Sequence, residues 1–233
     1  MNNTSPTQSP ILPVTMPAAG AIIAGDLGGA PSAMTGTPPI GIIIFAHGSG
    51  SSRMSPRNQH VANLLRQHGF ATLLLDLLTT DEQYVISKRF DISLLTARLT
   101  GALRWVRGQE TLKELPVGLF GASTGAAAAL RVAAVATSSI KAVVSRGGRT
   151  DLTGPLVTRV KAATLLIVGG EDREVVELNQ QTLTELTCEK RLAIIPGATH
   201  LFEEPGALDD VGHLAAYWFR NHIGSAMEKP HVT

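Results

Sequence analysis

The chain has 233 residues, of which 44% are hydrophobic and 17% charged, and its formal net charge is +1. That is the composition of a globular protein with a sizeable core, and it gives neither nucleic acid nor an anionic membrane a reason to bind. One cysteine, Cys188, excludes an intrachain disulfide and makes the cytoplasm the expected compartment.

Residues 1–10 are rich in Asn, Thr, Ser and Pro and lack a basic residue, so they read as a disordered tail and not as a secretory signal. Residues 11–225 read as one domain and 226–233 as a flexible C-terminal tail. No run reaches the roughly 18 apolar residues of a membrane span. Residues 11–16 and 21–27, flanking Pro17-Ala18-Ala19-Gly20, predict a β-hairpin at a sheet edge. Residues 28–39 are a Gly/Pro/Thr-rich loop. Residues 40–46 form an apolar, β-branched run of the kind that suits a strand buried on both faces. It ends in a loop, His47-Gly48-Ser49-Gly50-Ser51-Ser52.

Ser55-Pro56 starts a helix, as N-cap and first helical residue, and Gly69 stops it. Residues 70–75 are the next strand, closing at Asp76; 77–89 read as irregular. Asp91 caps a long helix to about Val106, with Leu94, Leu95, Leu99, Ala102, Leu103 and Val106 on one face. Strand 116–120, a helix from Ser123 to about Ala136, strand 140–145 and strand 164–168 follow. Between the last two, 152–160 is short and broken by Gly154-Pro155. A helix over about 175–186, a strand over 191–195 and a closing helix stopped by Gly224 complete the chain. Strand and helix alternate from residue 40 onward. This predicts an α/β fold with a mainly parallel, doubly wound sheet, an N-terminal antiparallel hairpin and little or no lid.

Ligands of open α/β sheets bind beyond the carboxyl ends of the strands. The polar residues expected there are the 47–50 loop, Asp76, Ser123, Arg146, Glu171, Asp172 and His200. Gly121-Ala122-Ser123-Thr124-Gly125 has the form G-x-S-x-G, a sharp strand-to-helix turn that needs glycine where the two elements crowd. Alone it is a common pentapeptide, and Ser123 could be a helix N-cap. Ser123, Asp172 and His200, however, each follow a strand and occur in the order of an α/β-hydrolase triad. Ser123 is then the nucleophile, His200 the base that takes its proton, and Asp172 the carboxylate that orients the imidazole. For Asp172 the competing readings are its neighbour Glu171 and a plain N-cap of the next helix. The oxyanion donors expected are the backbone N–H groups of Thr124 and of Ser49, with Gly50 next in line.

His47, Gly50, Arg53 and Arg146 are candidates for substrate contact. Arg53, Arg57, Arg146 and Arg149 could recognise a carboxylate, or could be salt-bridged or solvated. Asp76 is available to pair with one of them. The 48–52 loop lacks the G-K-[ST] of a phosphate cradle, and no zinc motif is present, so neither cofactor nor metal is expected.

The segments 45–53 (Phe-Ala-His-Gly-Ser-Gly-Ser-Ser-Arg), 121–125, 168–172 (Val-Gly-Gly-Glu-Asp) and 196–205 (Pro-Gly-Ala-Thr-His-Leu-Phe-Glu-Glu-Pro) resemble the dienelactone hydrolase-like branch of the α/β-hydrolase superfamily. The chain is similar to hydrolase domains found alone or fused to phosphoribosyltransferase-like domains. The resemblance implies the same three residues as triad. True dienelactone hydrolases carry a cysteine nucleophile where this chain has Ser123. The expectation is therefore a serine hydrolase of a small ester, lactone or thioester. The alternatives are an acyltransferase using the same acyl-enzyme, or a binding or interaction module with little turnover. The sequence does not specify the oligomeric state.

Overall fold

The computed structural model describes residues 10–29 and 38–224. The expected tails, 1–10 and 226–233, lie almost entirely outside the described residues. Among the described residues, eight strands form one sheet in the order β1-β2-β4-β3-β5-β6-β7-β8. They are β1 (Leu12–Ala18), β2 (Ala21–Gly28), β3 (Ile42–Ala46), β4 (Ala71–Leu75), β5 (Val117–Ala122), β6 (Ile140–Arg146), β7 (Ala163–Gly169) and β8 (Lys190–Ile195). From β4 to β8 every pairing is parallel; β1 with β2 and β2 with β4 are antiparallel.

The hairpin stands at the sheet edge, as its pattern predicts, but its turn is tighter than Pro17–Gly20. Pro17 and Ala18 pair with Ile22 and Ala21. The chain reverses at Ala19 and Gly20, with φ of 43° and 79°. Positive φ at both central positions matches the twist of paired strands. Pro13 and Pro17 are tolerated because β1 is the outermost strand, where a missing N–H costs no ladder bond on the open side.

Among the described residues, five helices pack on the sheet, α1 (Pro56–Gln67), α3 (Ile92–Gly108), α4 (Thr124–Val135), α5 (Arg173–Glu185) and α6 (Ala207–Ile223), while α2 (Ile86–Arg89) is a single turn at the surface. α1 starts as its sequence predicts, with Ser55 Oγ accepting from the Asn58 N–H and Pro56 in the first turn. α3 starts on Asp91, whose Oδ1 accepts from the Leu94 N–H at 2.9 Å. α1 and α6 pack together on one face, α3 and α4 on the other. Each face has its own core. Ile43, Phe45, Phe120, Val144 and Ile167 meet α1 and α6 through Leu65 and Phe219. Ile44, Leu119, Val143 and Leu166 meet α3 and α4 through Leu99 and Leu130. Truncating such a fully enclosed residue, Phe219 for instance, removes about 3–5 kcal/mol.

The expected lack of a large lid holds among the described residues. The link from β6 to β7 is a 3₁₀ stretch, Thr150–Arg159, broken at Gly154 (φ 64°). Residues 77–89, expected to be irregular, include a 3₁₀ turn (Glu82–Tyr84) and the single turn of α2. Glu82 pins this segment. It bonds the Thr79 N–H (3.0 Å), Lys88 Nζ (3.0 Å) and both of its oxygens meet Arg98 Nη2 (2.9 and 3.1 Å). Burial opposes the charge on Glu82, but the Thr79 N–H and the two cations outweigh it and hold its pKa below the usual value.

Candidate active site

β5 delivers Ser123 into a backbone conformation that serine rarely adopts, φ 50° and ψ −121°. Such a residue costs about 1–3 kcal/mol and persists where its surroundings fix it. Here two close approaches do so. A Cβ on Gly121 would lie 2.4 Å from Ala126 Cα, and one on Gly125 would lie 2.1 Å from the Ala46 carbonyl oxygen. Only glycine lets α4 begin against β3 and β5. Ser123 occupies the N-cap position of α4, yet its side chain accepts no capping hydrogen bond. The hydroxyl is left for another use.

The same holds for Asp172. It sits at the N-cap of α5 without capping it, and its Oδ2 lies 2.6 Å from His200 Nδ1. Asp172 follows β7 and His200 follows β8, so parallel neighbours bring the two together at one end of the sheet. Glu171 points to solvent, with its N–H bonded to the Ala198 carbonyl at 3.0 Å. No hydrogen bond joins Ser123 to His200. They are linked through Arg146 and Gly147: the Ser123 N–H donates to the Arg146 carbonyl (3.2 Å), and a Cβ on Gly147 would lie 3.5 Å from the His200 ring.

The 47–53 loop forms the opposite wall. A Cβ on Gly48 would lie 2.9 Å from Ser123 Cβ, so the backbone entering Ser49 runs directly past the serine. Thr124 is the first residue of α4, whose N–H has no acceptor within the helix. Gly50 is exposed, with φ 72° and open space around it. Beside this loop is a cavity of about 340 Å³, lined by Ser49, Ser51, Asp76, Thr80, Gln83 and Arg89 among others.

His47 reaches the cavity wall, but both of its ring nitrogens are committed within the protein. Nε2 accepts the Leu77 N–H at 2.9 Å, which leaves Nδ1–H to donate to the Gly48 carbonyl at 2.9 Å. The side chain staples the loop after β3 to the segment after β4 and has no polar atom left for substrate. Arg53 is likewise spoken for. Its backbone N–H donates to Asp76 Oδ1 at 2.7 Å, its Nη1 bonds Asp76 Oδ2, and its Nε lies 3.4 Å from Asp26 Oδ1. Arg146, whose carbonyl accepts the Ser123 N–H, is buried and has no acidic partner among the described residues. Sequence reasoning missed the role of His47, because its position after a strand resembles that of a substrate-facing group; only the Leu77 partner, 30 residues away, reveals the staple.

His47 also gives the site a pH signature. Burial lowers its pKa from the ordinary 6.5, outweighing the Gly48 carbonyl and Asp76. As pH falls below 6.5 the unfolded chain takes a proton there and the folded one does not. The contribution of His47 to stability is therefore present above 6.5 and is lost on acidification, by at most about 1.4 kcal/mol per pH unit. Urea denaturation between pH 5 and 8 should show a steeper acid loss for the wild type than for His47→Gln. Parallel curves would remove His47 from this role.

A mostly parallel eight-stranded sheet with helices on both faces, a strained serine after β5 and an Asp–His pair after β7 and β8 define an α/β-hydrolase fold. The sequence pattern of the dienelactone hydrolase family matches residues 29–217, and the chain belongs to that family. The crystal structure of a dienelactone hydrolase from Anabaena variabilis is 48% identical, covers 93% of this chain and 99% of its own, and superposes with a TM-score of 0.87. A Xanthomonas campestris α/β serine hydrolase described as without a lid shares the fold at 21% identity, covering 95% of this chain and 98% of its own, with a TM-score of 0.71. A Mycobacterium tuberculosis protein, provisionally named a phosphoribosyl transferase, is 54% identical over 185 residues. That match takes in 79% of this chain but 42% of the relative, so the chain spans less than half the length of that protein.

Proposed function

We propose that this hydrolase cleaves a small carboxylic ester, lactone or thioester through an acyl-enzyme on Ser123. The observation that carries the reading is the 2.6 Å contact of Asp172 Oδ2 with His200 Nδ1. It fixes which imidazole nitrogen is engaged and leaves Nε2 free to work. Ser123 Oγ bonds to the acyl carbon while its proton passes to His200 Nε2, and Asp172 steadies the imidazolium. The negative oxygen that results faces the N–H groups of Thr124 and Ser49. The carbon–oxygen or carbon–sulfur bond to the leaving group then breaks, and His200 returns the proton to that group. Water repeats the sequence: His200 takes its proton, its oxygen attacks the acyl carbon, and Ser123 leaves with the proton restored. The absent Ser123–His200 hydrogen bond is compatible with this cycle, since such bonds tighten once substrate is bound.

The polar cavity beside the 47–53 loop is reached by Gly48, which lies against Ser123, but Ser123, Asp172 and His200 do not line it; a substrate extending from Ser123 into it would be small and hydrophilic. A fluorophosphonate probe tests the nucleophile, with p-nitrophenyl esters, lactones and thioesters run in parallel. The expected results are a covalent adduct on the peptide bearing Ser123 and turnover of at least one ester class. An unlabelled Ser123 with no turnover across the panel overturns the reading.

A further inference from the structure

The strained backbone of Ser123 is also held from outside its own strand, by the turn 146–149 at the end of β6. The Ser123 N–H donates to the Arg146 carbonyl at 3.2 Å. The Ser123 carbonyl accepts the Arg149 N–H at 3.1 Å, together with the Ala126 N–H of α4 at 3.0 Å. The same turn borders the base: a Cβ on Gly147, whose φ is 52°, would lie 3.5 Å from the His200 ring. Residues 146–149 thus touch the nucleophile on one side and the imidazole on the other.

The turn is in its place through two further bonds. The Gly147 N–H donates to the Ile167 carbonyl of β7 at 2.8 Å. The Gly148 carbonyl accepts from Asn179 Nδ2 at 2.8 Å. Asn179 belongs to α5 and is fully buried. The second hydrogen of its amide goes to the Val175 carbonyl, also at 2.8 Å, so the amide faces two acceptors and its orientation is set. Its Oδ1 is buried with no hydrogen-bond partner among the described residues. An unpaired buried acceptor is destabilising, so this side chain is a poor choice for packing alone. Helix α5 has Asp172 as its N-cap, seven residues before Asn179, which is two helical turns away along the same side. One rigid element therefore carries the acid at its start and, through Asn179, the turn that holds the serine.

We propose that Asn179 is a positioning residue: it ties the 146–149 turn to α5 and so keeps Ser123 in register with the Asp172–His200 pair. It touches neither substrate nor reacting atoms and acts through the backbone of Ser123. The role rests on the hydrolase reading above. Without the tie the Gly148 carbonyl loses its donor and the turn can shift, carrying Ser123 with it, while Asp172 and His200 keep their contact. A misplacement of about 1 Å at a reacting group can cost on the order of 100-fold in rate.

Asn179→Ala removes the tie, and Thr182→Val is the control. Thr182 is also buried and stands one turn further along α5. Its Oγ1 lies 2.7 Å from Thr150 Oγ1, outside the turn, and donates to the Leu178 carbonyl at 3.0 Å. Both substitutions should lower the urea midpoint. Asn179→Ala should also lower kcat for p-nitrophenyl butyrate, and the rate of fluorophosphonate labelling of Ser123, by about 10- to 100-fold, with KM within about threefold of the wild type. Thr182→Val should keep kcat and labelling within about threefold. Asn179→Asp preserves the side-chain volume but, when ionised, has no hydrogen to give the Gly148 carbonyl. It should show the same loss, and it covers the case in which Asn179→Ala does not fold. A folded variant at position 179 with wild-type kcat and labelling overturns the role and leaves the hydrolase reading intact. So does an equal fall in kcat in Thr182→Val, which would make the effect a general loosening of α5. A wild type that neither turns over ester nor takes the label overturns the hydrolase reading, and the role with it.

Discussion

Replacing Ser123 by alanine is expected to lower kcat/KM for an activated ester by about 10⁴- to 10⁶-fold. The turn remains, because the flanking glycines and the bond from the residue 123 N–H to the Arg146 carbonyl (3.2 Å) do not involve the hydroxyl. Thermal unfolding and circular dichroism should therefore match the wild type, while steady-state hydrolysis falls almost to the level of the oxyanion pocket alone. His200→Ala should lose a similar amount, and the double variant Ser123→Ala/His200→Ala little more than either single one. Residues that act as one unit cannot be removed twice. A fall of less than about 100-fold in Ser123→Ala would place the nucleophile elsewhere. Additive losses in the double variant would mean that the serine and the histidine work independently.

The second large effect belongs to a residue with no side chain. Gly125→Ala places a methyl group 2.1 Å from the Ala46 carbonyl oxygen and 2.5 Å from that of His47. Both neighbours are backbone of β3 and its exit, so no rotamer change relieves the clash. Either α4 retreats from the sheet or β3 gives up its pairing. The expected loss is about 3–5 kcal/mol, at the upper end of single substitutions, seen as a lower urea midpoint or as insoluble protein. Gly50→Ala is the comparison. Its φ of 72° is unfavourable for alanine, but nothing lies within 4 Å, so it should cost only about 1 kcal/mol. A Gly125→Ala protein with the wild-type midpoint would contradict the close approach of α4 to β3.

Much of this was legible in the residues. Continuous β-branched runs at 40–46 and 164–168 announced strands buried on both faces, and Ser55-Pro56 and Asp91 announced helix starts. Ser123, Asp172 and His200 stood out because each follows a strand, and the rule that parallel sheets gather their functional groups at one end is geometric. The sequence did not reveal which polar residues at that end are free. Arg53, Arg146 and Arg149 look alike in the chain. Their difference lies in Asp76, Asp26 and Asp151 being present or absent nearby, and for Arg53 those partners sit 23 and 27 residues away. His47 was read as a group facing substrate for the same reason. The segment 77–89 has no periodicity, since a 3₁₀ turn and a single helical turn are held by an ion cluster rather than by an apolar face. The hairpin turn was placed too wide because Pro17 reads as a breaker, a rule that does not bind an outermost strand.

That ion cluster has a consequence for how the protein can change over generations. Glu82 ties the cavity rim to the buried Arg98 of α3, whereas Tyr84, Ile86 and Phe90, which surround it in sequence, are exposed. Leu77 and Leu78 are buried and the Leu77 N–H is held by His47, so Glu82 is what attaches the outer part of the segment to the frame, next to exposed side chains. Mutation can redraw the rim, and with it the range of molecules admitted, while the serine, the Asp–His pair and the two cores beneath them stay as they are.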